Sequence, residues 1–212
     1  MAGRVVTAEG LSIVDPPGAT PLDEEDLAGL IPTWIATRED LNVAERDNIV
    51  AAMVWAFTPR RKWAISRLLT RDTMATVHRL MFADVWRWAG AWRRRETNIG
   101  ASPQRIVTEL ETLLGDVRAQ TADPARLAWP ADEVAVRFHH RLVLIHPFPN
   151  GNGRHARLAA DLLAVALGRP RFTWGAEGDL IAATSAREAY LAALRTADRE
   201  HEYSPLLAFA RS

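Results

Sequence analysis

Between residues 146 and 157 the order His146-Pro147-Phe148-Pro149-Asn150-Gly151-Asn152-Gly153-Arg154-His155-Ala156-Arg157 leaves the backbone few choices. Before it, Val134, Phe138, Leu142 and Ile145 recur at helical spacing, so a helix should deliver His146 to a loop. Pro147 and Pro149 cannot continue that helix, and each restricts the residue before it. Gly151 and Gly153 bracket Asn152, so positive φ and a close approach of backbone to a ligand are open there. From Arg154 to Leu167 an Ala/Leu-rich run reads as a second helix, stopped by Gly168 with Pro170 behind it. The chain is expected to organise itself around this helix–loop–helix unit.

The residue types in the loop carry chemistry. A glycine-rich turn that opens a helix points N–H groups and the positive end of the helix dipole outward, which suits an anion. Arg154 and Arg157 lie on neighbouring faces of the first turn, and paired guanidinium forks suit a polyphosphate. His146, one loop away, can take a proton near neutral pH. Together they point to transfer of a phosphate-containing group onto a hydroxyl. His139 and His140 are adjacent on a helix and face different ways, and no His-Glu-x-x-His spacing occurs, so a metal hydrolase is not favoured.

The remaining periodicity is helical. Residues 1–20 contain Gly10, Pro16, Pro17 and Gly18 without a sustained period and are expected to form an arm, with a single helical domain over 21–212. Thr20-Pro21 is expected to cap a short helix carrying Leu22, Leu27, Leu30 and Ile31. A second helix is expected from Arg38 to Phe57, and a third from Thr70 or Asp72 through Met74, Val77, Leu80 and Met81. The aromatic-rich stretch Phe82 to Trp92 reads as core packing. Arg93 to Gly100 breaks the pattern and reads as an extended hairpin arm, followed by a helix from Pro103 to Gln120. After Pro170 a less regular piece leads to helices over 185–197 and 203–210.

Composition bounds the function. The 212 residues are 48% hydrophobic and 25% charged with a formal net charge of zero, so nothing drives the chain toward nucleic acid or a membrane surface. The absence of cysteine removes disulfides, thiolate catalysis and Cys-based zinc sites. No run approaches the ~20 apolar residues of a membrane span, and Met1 to Gly10 is not a signal peptide. The expectation is a cytoplasmic protein with no membrane partner and no direct nucleic-acid binding.

The stretch 146–157 resembles the Fic-family motif His-x-Phe-x-Asp/Glu-Gly-Asn-Gly-Arg-x-x-Arg, matching seven of its eight specified positions, with Asn150 in the acidic slot. His78-Arg79-Leu80-Met81-Phe82, Trp86, Trp88-Ala89-Gly90, Thr97-Asn98-Ile99-Gly100 and the ending Tyr190 to Phe209 extend the likeness, which is nearest to the subgroup called mobile mystery protein B. The resemblance implies an all-α Fic-type helical bundle with a small β-hairpin flap that docks an extended segment of a target protein through Thr97, Asn98, Ile99 and Gly100. It implies a protein adenylyltransferase using ATP and Mg²⁺, with His146 removing the proton from a Ser, Thr or Tyr hydroxyl. Phe148, Asn150, Gly151, Asn152, Gly153, Arg154 and Arg157 would form the nucleotide site, Arg154 and Arg157 acting on the β- and γ-phosphates. Asn152 would add a side-chain donor, and Phe148 reads as the loop's apolar anchor. Asn150 would be the metal ligand, although a neutral amide serves a hard cation less well than a carboxylate. The family's inhibitory pattern Ser/Thr-x-x-x-Glu-Gly/Asn, whose Glu pairs with the second motif arginine, has Glu45 as its candidate, with Leu41 and Arg46 departing from the pattern. A helix-turn-helix, antitoxin-like partner is implied as well, and homodimerisation stays open. The alternatives are a silent Fic-fold binding module or a Fic enzyme using another nucleotide.

Overall fold

Helix α7 (Asn152–Ala166) is the element the others wrap. Residues Leu158 through Ala164 are all buried, so the helix is enclosed on every side and not along one stripe. Ala156, Ala159, Ala160 and Ala164 lose all exposure, and their small side chains let neighbouring helices approach closely. The computed structural model describes residues 5–8, 11–14, 22–175 and 185–212.

Helix α6 (Ala131–Ile145) packs along α7 and buries Val134, Phe138, Leu142 and Ile145, the periodic set that predicted it. On another side lie α3 (Ile65–Leu68) and α4 (Arg71–Phe82), with α2 (Arg38–Ala56) outside α4. Helix α5 (Ile106–Gln120) follows a 3-10 turn at Pro103–Arg105 and buries Ile106, Leu110, Leu113, Leu114 and Val117 against α4 and α6. Helix α8 (Ser185–Glu200) packs on α9 (Ser204–Arg211), and α9 closes on α6. This is the expected all-α bundle. Among the described residues no helix is long and apolar enough to cross a membrane.

The differences lie at the edges. Part of the expected arm is a two-stranded antiparallel ribbon, β1 (Val5–Ala8) with β2 (Leu11–Val14), which lies against α1 (Glu24–Ala28) and α2. The domain boundary placed at residue 20 and the Thr20-Pro21 cap fall outside the described residues. Asp23 caps α1, accepting from the Asp26 N–H at 2.8 Å while Asp26 reaches back to the Asp23 N–H, so this capping box starts the helix. The short α3 was not expected; Leu68 and Leu69 bury it beside α7.

The hairpin expected over Arg93 to Gly100 is not formed, because no strand occurs between 91 and 102. Its backbone groups are taken elsewhere. The Arg93 N–H donates to the Pro147 carbonyl at 2.9 Å and the Ala101 N–H to the Ile145 carbonyl at 3.2 Å. Arg95 ties the middle of the segment to Asp23 and Asp26 of the α1 capping box. The flap is an irregular loop pinned to the motif and to α1.

Candidate active site

His146 ends α6 in the left-handed region, at φ 51° and ψ 59°. That costs a non-glycine residue about 1–2 kcal/mol, so something must hold it there. Arg93, 3% exposed, does so. Its Nε donates to the His146 carbonyl at 2.6 Å, its Nη1 to Arg95 at 2.8 Å, and its Nη2 to the carbonyls of Ile145 and Ala101. One planar guanidinium thus satisfies carbonyls on both the motif turn and the flap, which a point-charge lysine could not do. Gly100 allows this approach: at φ 126°, a Cβ there would stand 2.8 Å from the His146 Cβ.

The His146 ring faces the Val143 carbonyl with Nδ1 at 3.2 Å. A carbonyl only accepts, so Nδ1 carries the proton and Nε2 is the basic nitrogen. Burial pushes its pKa down to about 4; the Val143 bond opposes this and the charge of Arg93 adds to it. The ring is neutral at pH 7 and able to accept a proton.

Several of the expected nucleotide residues instead build the loop. Phe148 is fully buried, stacked on His78 with centroids 3.7 Å apart and on Trp92 at 4.9 Å, so it anchors the loop and cannot line a nucleotide pocket. The Asn152 side chain is spent on the Phe148 backbone, accepting its N–H at 2.9 Å and donating to its carbonyl at 2.8 Å. The side-chain donor expected for phosphate is therefore committed elsewhere. His78 accepts the Gly90 N–H on Nδ1 at 2.9 Å and so donates from Nε2 to the Asn150 carbonyl at 3.0 Å. Gly151 sits at φ 76°, and a Cβ there would come within 2.5 Å of the Phe82 ring. Gly153, by contrast, lies inside α7 in ordinary helical conformation.

Gly151 caps α7 without a side chain, so the first-turn amides of Asn152, Gly153 and Arg154 face the loop mouth as an anion cradle. Arg154 donates from Nη1 to Glu45 Oε2 at 2.6 Å, while Glu45 Oε1 accepts the Trp86 indole N–H at 2.8 Å. Glu45 is 5% exposed, so the candidate from α2 does reach the site, but it holds the first motif arginine and not the second. Arg157 donates to the Tyr190 hydroxyl of α8, over whose ring its guanidinium carbon sits 5.6 Å from the centroid. Tyr190 in turn stands 3.0 Å from His139 Nε2, and burial holds His139 neutral with a pKa of about 3.

The donor set does not fit a resident Mg²⁺ ion. Asn150 offers a neutral amide whose Oδ1 accepts the Gly151 N–H at 2.7 Å, and Mg²⁺ ordinarily requires one or two carboxylates beside phosphate oxygens. Among the described residues no group of three or more His, Cys, Asp or Glu could hold a metal. His140 binds Asp198 at 2.8 Å and His155 binds the Met74 carbonyl at 3.0 Å, both as internal ties.

Sequence reasoning missed three residues here. Arg93 was read only as the start of the flap, although one arginine of the run Arg93-Arg94-Arg95 following the apolar Trp92 is a signal for a buried one. Trp86 was read as core and Tyr190 not as part of the site; neither has a local cue, since their partners Glu45 and Arg157 are remote in sequence.

Residues 68–164 match the Fic/DOC family. A protein adenylyltransferase of Caenorhabditis elegans, fic-1, is 35% identical over 89 residues, covering 39% of this chain and 16% of that protein. The chain thus spans a small part of the relatives it matches. The BepC effector of Bartonella tribocorum, solved with bound AMPPNP, superposes with a TM-score of 0.63 at 17% identity, over 89% of this chain and 96% of that one. An N-terminal Fic domain from Bartonella quintana, solved with ADP, gives 0.62 at 18% identity over 84% and 86%. At such identities the superpositions speak for the fold, and the loop from His146 to Arg157 speaks for the site. Motif, bundle and match agree: residues 68–164 match the Fic/DOC family, and the bundle has the fold of solved Fic domains.

Proposed function

We propose that this chain transfers the AMP moiety of ATP to a hydroxyl side chain of a target protein. The observation that carries the reading is His146: neutral, and locked by Arg93 between the flap and the arginine pair at the start of α7. His146 Nε2 accepts the proton of the target hydroxyl. The hydroxyl oxygen forms a bond to the α-phosphorus, the bond from that phosphorus to the bridging oxygen breaks, and pyrophosphate leaves with the electron pair. Arg154 and Arg157, with the first-turn amides of α7, neutralise the charge that develops on the leaving group. Thr97, Asn98, Ile99 and Gly100 present the target segment, since Gly100 abuts His146.

Glu45 restrains this chemistry. Its carboxylate occupies Arg154, and a phosphate must displace it before Arg154 can act. Glu45→Gly is expected to raise transfer by about tenfold or more, the effect of freeing one charge-assisted contact. Label tests the reaction itself. ATP labelled at the α-phosphate should mark protein, and ATP labelled at the γ-phosphate should not. Marking from the γ-position would make the chain a kinase-type enzyme and overturn the reading; marking from neither would leave a binding module. Asn150 supports a second reading, the same transfer from another nucleotide, which unlabelled competitors would reveal by displacing the ATP label.

A further inference from the structure

Arginines from three helices lie close enough at this site to act on one another's charge. Arg154 and Arg157 open α7. Arg187 lies on α8 one turn before Tyr190, whose hydroxyl accepts from Arg157 and stands 4.0 Å from where a Cβ on Gly153 would lie. Arg38 begins α2, on the face that carries Glu45 two turns later, and Glu45 holds Arg154. The two flanking helices therefore each bring an arginine toward the residue that already touches a motif arginine. Their proximity is felt electrostatically. Burial, followed by the charges of Arg157, Arg38 and Arg154, holds the half-buried Arg187 guanidinium below its ordinary range, with Tyr190 opposing. Like charges gathered around a half-buried guanidinium suit a ligand carrying several negative charges, which guanidinium forks grip bidentately. On the other side of the loop, the slot that should bring in a cation has the neutral Asn150, turned onto Gly151.

We propose that Arg38 and Arg187 complete, with Arg154 and Arg157, a guanidinium clamp for the phosphate chain of a nucleoside triphosphate, and that this clamp supplies the positive charge a divalent cation would otherwise bring. The inference rests on the nucleotide-transfer reading above and deepens it, assigning two residues outside the motif and binding that is independent of metal. The clamp favours three phosphates over one.

Calorimetric titration of the full chain with AMPPNP, once in EDTA and once with Mg²⁺, tests it. The two affinities are expected to agree within about threefold, and Arg38→Gln and Arg187→Gln each to weaken AMPPNP binding in EDTA by about tenfold, the worth of one charge-assisted contact. Binding of AMP should be unchanged in both variants. Arg187→Lys, which keeps the charge, should recover part of the loss, and thermal melts establish that each variant is folded. Two results overturn the clamp while leaving nucleotide transfer standing: AMPPNP that binds only with Mg²⁺, or folded glutamine variants that bind like the wild type. Failure of AMPPNP to bind in either buffer overturns the clamp and the transfer reading together.

Discussion

The motif loop and the flap that adjoins it are built to opposite rules. In the loop, each turn is fixed from outside: Arg93 holds the His146 carbonyl, His78 holds that of Asn150, the Asn152 side chain closes on Phe148, and the Phe82 ring fills the space beside Gly151. In the flap, Arg93 and Arg95 are fixed, but Glu96, Asn98, Ile99 and Gly100 are exposed, with Thr97 Oγ1 bonding the Ile99 carbonyl two residues on. The position of His146 is set by the fold before any ligand arrives, whereas the segment that would meet a target keeps its apolar and polar groups outward. Reacting groups gain from being held in advance, and a recognition segment gains from leaving its contacts to be made on binding.

Substitutions in the two regions should therefore behave differently. Gly151→Ala is expected to do the most damage, since it puts a Cβ into the Phe82 ring at a positive φ; about 3 kcal/mol of stability and roughly 10 °C of Tm should be lost in calorimetry. Gly153→Ala is its contrast: the nearest atom to the added Cβ, the Tyr190 hydroxyl, is 4.0 Å away, and the helix should gain up to about 1 kcal/mol. Equal effects at the two glycines would break the comparison.

Arg93→Ala comes next. It strips the donor from carbonyls of Ile145, His146 and Ala101, and about 2–3 kcal/mol should be lost on chemical denaturation. Transfer should fall about a hundredfold while nucleotide still binds, because the base loses its position and the arginines do not.

Acid separates the same roles. His78, His139, His146 and His155 are buried and held neutral, all below the ordinary histidine range near 6.5. The unfolded chain takes up protons below about pH 6.5 and the folded chain does not, so their contribution is complete above that pH and drains away as it falls toward 4. Asp161, raised by burial to about 6, and Asp26, raised by burial as well, pull the other way over part of the range, but they are two carboxylates against five histidines, His140 being lowered too. Tm should fall from pH 7 to pH 5. Transfer, limited by a base with a pKa of about 4, should lose less than about twofold in kcat/KM between pH 7.5 and 5.5, where an ordinary histidine would lose about tenfold.

The flap tip should show the smallest effect on the fold. Ile99→Ala, at a side chain 44% exposed, is expected to change stability by under about 0.5 kcal/mol and to leave nucleotide affinity unaltered, while weakening modification of the target. A folding defect there would mean that the tip is part of the scaffold.

The helices were legible because they bury one face or one enclosed bundle, and burial leaves a 3.6-residue signature: the apolar set of α5 is as read, and α6 buries Val134, Phe138, Leu142 and Ile145 as read, with Ala135, Val136 and Val143 besides. The loop was legible through its prolines and glycines. What was not legible are contacts in which a side chain serves a backbone far away in sequence. Arg93 holding the turn at His146 and Trp86 holding Glu45 obey no spacing. Asn152 was misread for a related reason, since an amide beside a phosphate cradle looks like a ligand until its partner, the Phe148 backbone, is seen. The flap's hairpin failed because pairing was inferred from alternation, while the carbonyls there had a guanidinium to accept from.

The most direct test of the account is intact-mass spectrometry of bacterial lysate proteins and of the chain itself after incubation with ATP, using Glu45→Gly beside Glu45→Gly/His146→Ala. The account predicts an adduct of AMP mass with the first variant and none with the second. An adduct that survives loss of His146, or none in either while both remain folded, would contradict it.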